Sequence, residues 1–285
     1  MTQNYILTIS CPATSGIVAA VSSYLAQSGC YISELAQFDD ESNGTFFMRA
    51  VFRFNDAKTG SIDKLRTDFG SIANDFAMQW KLYSAAQPMK VLLMVSKFDH
   101  CLSDLLYRYH KGQLHMQITA VVSNHLDLRP MAEREGIRFI YLPVTPETKD
   151  QQEAELLKIV AETETELVVL ARYMQILSNN LCKQLAGRAI NIHHSFLPGF
   201  KGAKPYHQAF ERGVKLIGAT AHYVTADLDE GPIIEQDVVR VGHGMTPDQF
   251  VAAGRDVESR VLSRAVAWHA EHRVLLGSKR TVVFP

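Results

Sequence analysis

Five short apolar runs between residues 90 and 193 alternate with stretches that have helical residue spacing, and this alternation is the strongest constraint on the fold. The apolar runs are residues 90–96, 118–123, 139–142, 167–171 and 186–190, and the last of them begins a core segment that continues to residue 193. The helical patterns between them are residues 101–110, 130–136 and 147–163. Strands that alternate with helices are joined by crossover connections, which place the strands parallel and the helices over the sheet. We therefore predict an α/β domain with a mainly parallel sheet.

The first 84 residues have a different pattern, in which two helices are placed among four strands. The predicted strands are residues 4–9, 31–38, 45–54 and 77–83. The helices end near residues 27 and 76, so that the order is βαββαβ, which is typical of a ferredoxin-like unit. Residues 84–88 have low apolar content and end in a proline, as a linker does. We therefore predict two domains, residues 1–84 and residues 85–285.

Composition limits the compartment and the partners. The chain has 285 residues and a formal net charge of −1, with no block of Lys or Arg and no apolar run of membrane-spanning length. The amino terminus lacks the features of a signal peptide. Cys11, Cys30, Cys101 and Cys182 are scattered without metal-type spacing, which predicts reduced thiols. We expect a cytoplasmic protein that binds neither nucleic acid nor a membrane.

A group of polar side chains follows the apolar run that ends at residue 190. It comprises Asn191, His193, His194 and Ser195, and Pro198 then breaks the element. Open α/β sheets commonly place their functional residues at the carboxyl ends of strands. Asn and His at a strand end can also cap a helix or satisfy loop backbone. The group is therefore a candidate site that has a purely structural alternative.

A second polar segment extends the pattern. Residues 191–198 read Asn-x-His-x-Ser-x-Leu-Pro, and residues 229–232 read Asp-Glu-Gly-Pro. Taken together, these two motifs resemble the signature of the folate-dependent formyltransferase family. The resemblance extends over about residues 90–270, and it implies a Rossmann-like formyltransferase domain.

The resemblance implies that Asn191, His193 and Asp229 are catalytic. An amide N–H and a protonated imidazole can donate to a developing oxyanion, and a nearby carboxylate favours the protonated ring and can transfer a proton. Single acids in loops, such as the neighbouring Asp227 and Glu230, are usually solvated surface charges. Asp229 differs because its place before the Gly-Pro pair matches the catalytic acid of the family.

The resemblance also implies a folate-binding segment. Met174, Gln175, Ile176 and Leu177 would offer backbone groups and an apolar wall to the pterin ring. The alternative is an ordinary helix entry that Ser178 caps.

Three further residues and the cofactor requirement follow from the same resemblance. His222 is expected to place Asp229 or an ordered water, Lys204 to hold a water or close the pocket, and His194 to act as structural support. No metal-ligand spacing is visible in the sequence, so no metal is expected. The folate is expected to be the substrate, with no separate cofactor.

The family members that use a ribonucleotide have a glycine-rich turn after the first strand, which suits phosphate because backbone amides and a helix amino end face the anion. Here residues 96–101 read Ser-Lys-Phe-Asp-His-Cys. Phe98 adds bulk, and Asp99 would repel a phosphate. Lys204 and Tyr206 also stand where those transferases tend to have histidines. These differences disfavour a phosphorylated ribonucleotide as formyl acceptor.

Residues 1–84 resemble an ACT domain, a small regulatory module that often binds amino acids and often pairs through its sheet. Ala13 stands where such modules commonly have an acid. An amino-acid effector and a role in assembly alone therefore remain alternatives. A homo-oligomer, either a dimer or a tetramer, is expected.

The resulting expectation is hydrolysis of 10-formyltetrahydrofolate to formate and tetrahydrofolate, which would balance one-carbon pools and supply formate for purine synthesis. One alternative is transfer of the formyl group to a small acceptor. The other is a regulatory protein that binds folate or an amino acid without turnover. The presence of Asn191, His193 and Asp229 together disfavours this last alternative.

Overall fold

The computed structural model describes residues 3–55, 61–199 and 204–285. The chain forms two compact units, one of Met1–Pro88 with Glu271–Pro285 and the other of Met89–Ala270. Among the described residues, no helix combines the length and the apolar character that a membrane span needs. Residues 200–203, which precede Lys204, lie outside the described residues.

The first unit begins with the predicted βαββαβ order. Its elements are β1 (Tyr5–Pro12), α1 (Ile17–Gln27), β2 (Cys30–Asp40), β3 (Thr45–Phe54), α2 (Ile62–Asp75) and β4 (Gln79–Ser84). The four strands form an antiparallel sheet in the order β2-β3-β1-β4. Gly16 precedes α1 with a φ of 92°, a left-handed conformation that favours glycine.

The two helices of this unit share one hydrophobic core with the sheet. Buried residues recur at every fourth position along each helix, at Ile17, Val21 and Leu25 in α1 and at Leu65, Phe69 and Ala73 in α2. The Phe69 ring packs edge-on against Trp80 of β4, with ring centroids 4.9 Å apart. The helical spacing of apolar residues therefore produces the packed face.

The second unit alternates strands and helices along most of its length. Its elements are β5 (Met89–Val95), α3 (His100–His110), β6 (Met116–Ser123), α4 (Arg129–Arg134), β7 (Phe139–Tyr141), α5 (Lys149–Glu162), β8 (Leu167–Leu170), α6 (Asn179–Gln184), β9 (Ala189–His193), α7 (Pro205–Glu211), β10 (Leu216–Tyr223), β11 (Ile233–Arg240) and α8 (Pro247–Ala270).

The central sheet of this unit has the strand order β11-β10-β9-β8-β5-β6-β7. The five strands from β9 to β7 are parallel, while at one edge β10 pairs antiparallel with β9 and β11 pairs antiparallel with β10. The strand β8 is buried at every position, and β5 at all but one. Continuous apolar strands are expected where helices cover both faces. The prediction of an α/β domain with a mainly parallel sheet is confirmed.

The chain ends in a hairpin of β12 (Val274–Leu276) and β13 (Thr281–Val283). The predicted second domain ran to residue 285, whereas residues 271–285 group with the first unit. One physical reason is the buried Arg49 of β3, which donates from Nε to the carbonyl of His272 and from Nη2 to the carbonyl of Glu271, each at 3.1 Å. A buried guanidinium requires such acceptors, so the last residues complete the first unit.

Candidate active site

A cavity of about 740 Å³ lies in the second unit, where β5, β8 and β9 end. Ligands of open α/β sheets bind in this position because the loops after the strands leave a crevice there. The predicted catalytic and substrate-binding residues all line this cavity: Met174, Gln175, Ile176, Leu177, Asn191, His193, Lys204, His222 and Asp229.

Strand β9 presents Asn191 and His193 at alternate positions, so both side chains lie on one face of the sheet. The neighbouring β10 runs antiparallel, and its register places His222 opposite Asn191. The amide Nδ2 of Asn191 lies 3.3 Å from Nε2 of His222. The pairing of two sheet strands therefore fixes the contact between two cavity side chains.

Asp229 lies in the loop between β10 and β11 and has a φ of 58°. Its Oδ1 is 3.2 Å from Nδ1 of His193 and 3.7 Å from Nε2 of His222. The hydrogen bond from His193 lowers the pKa of Asp229, and it outweighs the opposing effect of burial. The carboxylate is therefore ionised at neutral pH. We call Asn191, His193, His222 and Asp229 the Asp229 cluster.

Gly231 explains why the acid is followed by a Gly-Pro pair. A Cβ atom at this position would lie 1.7 Å from the carbonyl oxygen of Tyr223. No side chain fits so close to backbone, so only glycine lets the loop return to β10. The Gly-Pro pair that follows Asp229 is therefore the part of the loop that holds Asp229 against the sheet.

The protonation of His222 follows from its contacts. Its Nδ1 lies 2.9 Å from the carbonyl of Tyr223, and a carbonyl can only accept, so Nδ1 carries a proton. Burial lowers the pKa of His222, so the ring is neutral and Nε2 accepts the Asn191 N–H. The expected role of His222, to place Asp229 or a water, stays a prediction; its Nε2 lies near Oδ1 of Asp229 and also contacts Asn191, whose amide it orients.

His193 has one free position. Its side chain is buried, and its Nε2 has no hydrogen-bond partner among the described residues. Since Asp229 accepts from Nδ1, the Nε2 atom is the one available to a molecule in the cavity. An unpaired buried polar atom is costly, and a hydrogen-bonding group of a molecule bound in the cavity would satisfy it.

His194 borders the same rings. Burial lowers the pKa of His194 to about 4, and the nearby Arg172 charge adds to this effect. The ring is therefore neutral at pH 7. It lies 5.3 Å from the His193 ring and 6.3 Å from the Tyr206 ring, measured between centroids.

The segment Met174–Leu177 follows β8 and is held at both ends. Ser96 accepts a hydrogen bond from the Met174 N–H at 3.0 Å and donates to Asn124. At the other end Ser178 caps α6 by accepting from the N–H of Leu181 and itself donates to the buried Glu153. The segment can therefore lead into α6, with Ser178 as the cap, and also offer its backbone to a ligand. Met174 and Ile176 are 48% and 62% exposed, so apolar surface faces the cavity mouth.

Lys204 is exposed and stands at the amino end of α7 with a φ of 53°. It lines the cavity, but it does not belong to the Asp229 cluster.

A second polar group that lines the cavity was missed at the level of sequence. Glu258 of α8 accepts hydrogen bonds from Tyr206 at 2.7 Å and from Nε2 of His100 at 2.8 Å. Nε of Arg172 lies 3.2 Å from the same carboxylate. We call His100, Arg172, Tyr206 and Glu258 the Glu258 cluster. The available signal was an acid among apolar residues on the buried face of a helix.

His100, Cys101 and Glu258 place three potential metal-binding atoms within 4.8 Å of one another. Burial raises the pKa of the Cys101 thiol well above its usual value, so the thiol is protonated and a poor ligand. The charge of Arg172 beside Glu258 also opposes a cation. These donors do not suit a metal ion.

Comparison with known proteins agrees with this geometry. Residues 89–266 match the family model described as formyl transferase. The fold and the site therefore define a protein of the formyl transferase class. A crystal structure of glycinamide ribonucleotide transformylase 1 from Symbiobacterium toebii is similar, with a TM-score of 0.66 and 28% identity over 72% of this chain and 98% of that one.

Two comparisons extend over nearly the whole chain. It is 53% identical to formyltetrahydrofolate deformylase of Corynebacterium sp. (strain P-1), over 98% of this chain and 97% of the relative. The crystal structure of formyltetrahydrofolate deformylase from Burkholderia mallei has a TM-score of 0.95 and 54% identity, over 99% of this chain and 100% of that one. The chain belongs to the formyltetrahydrofolate deformylase family.

Proposed function

We propose that this protein hydrolyses 10-formyltetrahydrofolate to formate and tetrahydrofolate. The observation that carries the proposal is the Asp229 cluster, in which His193 and the oriented amide of Asn191 line one cavity. In the part of the chain that the structure describes, Nε2 of this histidine has no hydrogen-bond partner. The activity named for the relatives supports the same reaction. In cells it would balance one-carbon pools and release formate for purine synthesis.

The catalytic roles follow from the donor and acceptor atoms. A water molecule attacks the formyl carbon, and the carbonyl oxygen takes the negative charge. His193, in its protonated form, donates to this oxygen from Nε2, and Asn191 donates its second amide N–H. Asp229 is ionised and accepts the proton of the attacking water. That proton then passes to the folate nitrogen, the carbon–nitrogen bond breaks, and formate and tetrahydrofolate leave.

The folate would bind along Met174–Leu177. The backbone of this segment is held by Ser96 and Glu153, so it offers a rigid edge to a planar ring with several donors and acceptors. Lys204 would hold a water or close the cavity. We propose that the folate is the substrate and that no separate cofactor or metal is needed.

We further propose that residues 1–84 form an ACT-like domain and that the catalytic domain begins at residue 85. The antiparallel βαββαβ arrangement supports this proposal. The ACT-like domain would serve assembly into a dimer or tetramer, with the binding of an amino-acid effector as the alternative role.

The free, buried state of Cys11, Cys30, Cys101 and Cys182 supports a cytoplasmic location.

The direct test is to mix the pure protein with 10-formyltetrahydrofolate and no other substrate, and to assay free formate. Stoichiometric formate and tetrahydrofolate are expected. If formate appears only as a formylated product after a small amine is added, the protein is a transferase. If folate binds by calorimetry while neither product forms, the protein is a binding protein without turnover.

A further inference from the structure

The carboxylate of Glu258 lies in the interior of the second unit, on the helix α8. The residue is 1% exposed, and its two oxygens are engaged by Tyr206, His100 and Arg172. Burial by itself would raise the pKa of Glu258, but the His100 hydrogen bond and the Arg172 charge lower it. The group is therefore a buried negative charge, which persists only with such partners.

The partners of Glu258 are donors that line the cavity. Arg172 is buried with a φ of 66°, and its guanidinium carbon lies 5.0 Å from the centre of the Phe98 ring. His100 is the first residue of α3 and comes shortly after Phe98 in the chain. Nε of Arg172 is ion-paired with the Glu258 carboxylate at 3.2 Å but is not in hydrogen-bond geometry. Among the described residues, this atom and Nδ1 of His100 are buried atoms that make no hydrogen bond. A guanidinium and an imidazole N–H that meet in one place are a common binding pair for carboxylate or phosphate.

The carboxylate of Glu258 occupies the position between Arg172 and His100 where such an anion would bind. Its negative charge cancels the attraction that Arg172 would exert on a dissolved anion. Its oxygens accept the hydrogen bonds that His100 and Tyr206 could otherwise donate to such an anion. In the catalytic proposal Glu258 has no role, although it lines the same cavity as His193. The position is suited to controlling which molecules enter rather than to the bond-breaking step.

We propose that Glu258 is a specificity-determining residue that excludes anions from the part of the cavity next to Arg172 and His100. The excluded anions are phosphate-bearing formyl acceptors and the product formate. Water and the uncharged formyl group are not affected, because neither requires a cationic partner. The effect of Glu258 on which substrates react rests on the proposed hydrolysis. The exclusion of anions does not, because anion binding can be measured without turnover.

The first test measures binding of inorganic phosphate by thermal unfolding. The variant Glu258→Gln keeps the shape of the side chain and an oxygen for Tyr206 but removes the charge. We expect its Tm to rise by about 2–4 °C in phosphate relative to chloride of equal ionic strength. The wild-type protein should show no such difference. A phosphate-dependent rise in the wild type would overturn the proposal even if the variant did not fold.

A charge control separates this effect from general electrostatics. Asp248 is an exposed acid that lines the same cavity, so Asp248→Asn removes one negative charge without exposing Arg172. This variant should behave like the wild type in phosphate. The double variant Arg172→Met with Glu258→Gln should lose the phosphate response of Glu258→Gln. An equal response in Asp248→Asn, or none in a folded Glu258→Gln, would contradict the proposal.

The second test measures inhibition of formate release. For Glu258→Gln we expect the half-inhibitory concentrations of phosphate and of added formate to be at least about 10-fold lower than for the wild type, because a charged hydrogen-bond donor set becomes available. Failure of the proposed function would appear as absence of formate from the wild type in every buffer. Failure of this inference would appear as equal inhibition of the two proteins.

Discussion

Asp229 and Glu258 are carboxylates that line one cavity, and each lies against a histidine, yet their surroundings differ. The side chain of Asp229 is 13% exposed and sits in a loop, with one close partner in His193. The side chain of Glu258 is 1% exposed and sits on a long helix, with three partners. Among the described residues, Asp229 is paired through Oδ1 alone, while both oxygens of Glu258 are engaged.

The difference separates chemistry from selection. A group that transfers protons must be reachable and must change its partner during the reaction, which the Asp229 cluster permits. A group that neutralises fixed cations must stay charged and stay in place, which burial among donors ensures for Glu258. Two acids of similar chemistry can therefore serve one cavity in different ways, and substitutions should reveal the difference.

The largest effect is expected for Asp229→Asn. The change removes the proposed proton acceptor but keeps the shape, and Asn tolerates the left-handed φ of 58° at this position. We expect kcat for formate release to fall by about 10³- to 10⁴-fold, with little change in folate affinity. The measurements are steady-state formate release and calorimetric folate binding.

Asp227→Asn is the matched control for this variant, because Asp227 is an exposed acid of the same loop. Its activity should stay within about twofold of wild type, as is usual for surface substitutions. Near-normal turnover of Asp229→Asn would remove Asp229 from the mechanism and leave the Asp229 cluster without a proton acceptor.

The next effect is expected for Asn191→Ala. This variant lacks the amide that His222 orients, and so it lacks one donor for the oxyanion. We expect kcat to fall by about 10²- to 10³-fold while KM changes little, because the donor acts mainly in the transition state. A rise in KM at unchanged kcat would show instead that Asn191 contributes only to ground-state binding.

The residues of the Asp229 cluster could be selected from sequence because local rules apply to them. Polar residues that end an apolar strand lie at the sheet edge, and an acid before Gly231 is held by the glycine. The contact of Asn191 with His222 could not be predicted, since it depends on antiparallel pairing of β9 with β10. No local pattern specifies which strands of a sheet are neighbours.

The Glu258 cluster shows the limit of such reasoning. Its four residues come from four separate stretches of the chain, at His100, Arg172, Tyr206 and Glu258. Each one taken alone is consistent with an ordinary surface or core position. The return of residues 271–285 to the first unit was missed for the same reason, because the acceptors of a buried arginine are contacts between distant segments.

A smaller effect is expected where Tyr206 of the Glu258 cluster packs against α8. A Cβ at Gly254 would lie 2.2 Å from the Tyr206 ring. Ala normally favours a helix over Gly, but overpacking a rigid ring costs more. We expect Gly254→Ala to lower the free energy of unfolding by about 1–3 kcal/mol in urea titrations.

Gly70 provides a matched control in the helix α2, because a Cβ there meets no atom of the described residues within 4 Å. Gly70→Ala should raise the free energy of unfolding by about 0.5–1 kcal/mol. Effects of the same sign in the two variants would show that the packing of Tyr206 against α8 is not a constraint.

The smallest effect is expected for His194, which lies between the His193 and Tyr206 rings and so touches both clusters. Its pKa is about 4 in the folded protein and near 6.5 in an unfolded chain. Between these values the unfolded chain binds a proton that the folded protein does not, so stability falls as the pH falls from 6.5 towards 4. From pH 7 to pH 5 this residue should reduce the free energy of unfolding by about 1–2 kcal/mol.

His194→Gln should remove that part of the pH dependence, measured by urea unfolding at pH 7 and pH 5. The lowered pKa of Asp229 acts only at more acidic pH, because its stabilising contribution is lost as the pH falls below the ordinary carboxyl range. His222 retains its own contribution in both proteins. His243→Gln, at an exposed position, should leave the slope unchanged. An unchanged slope in His194→Gln would mean that the space between the two clusters is more polar than the packing of these rings implies.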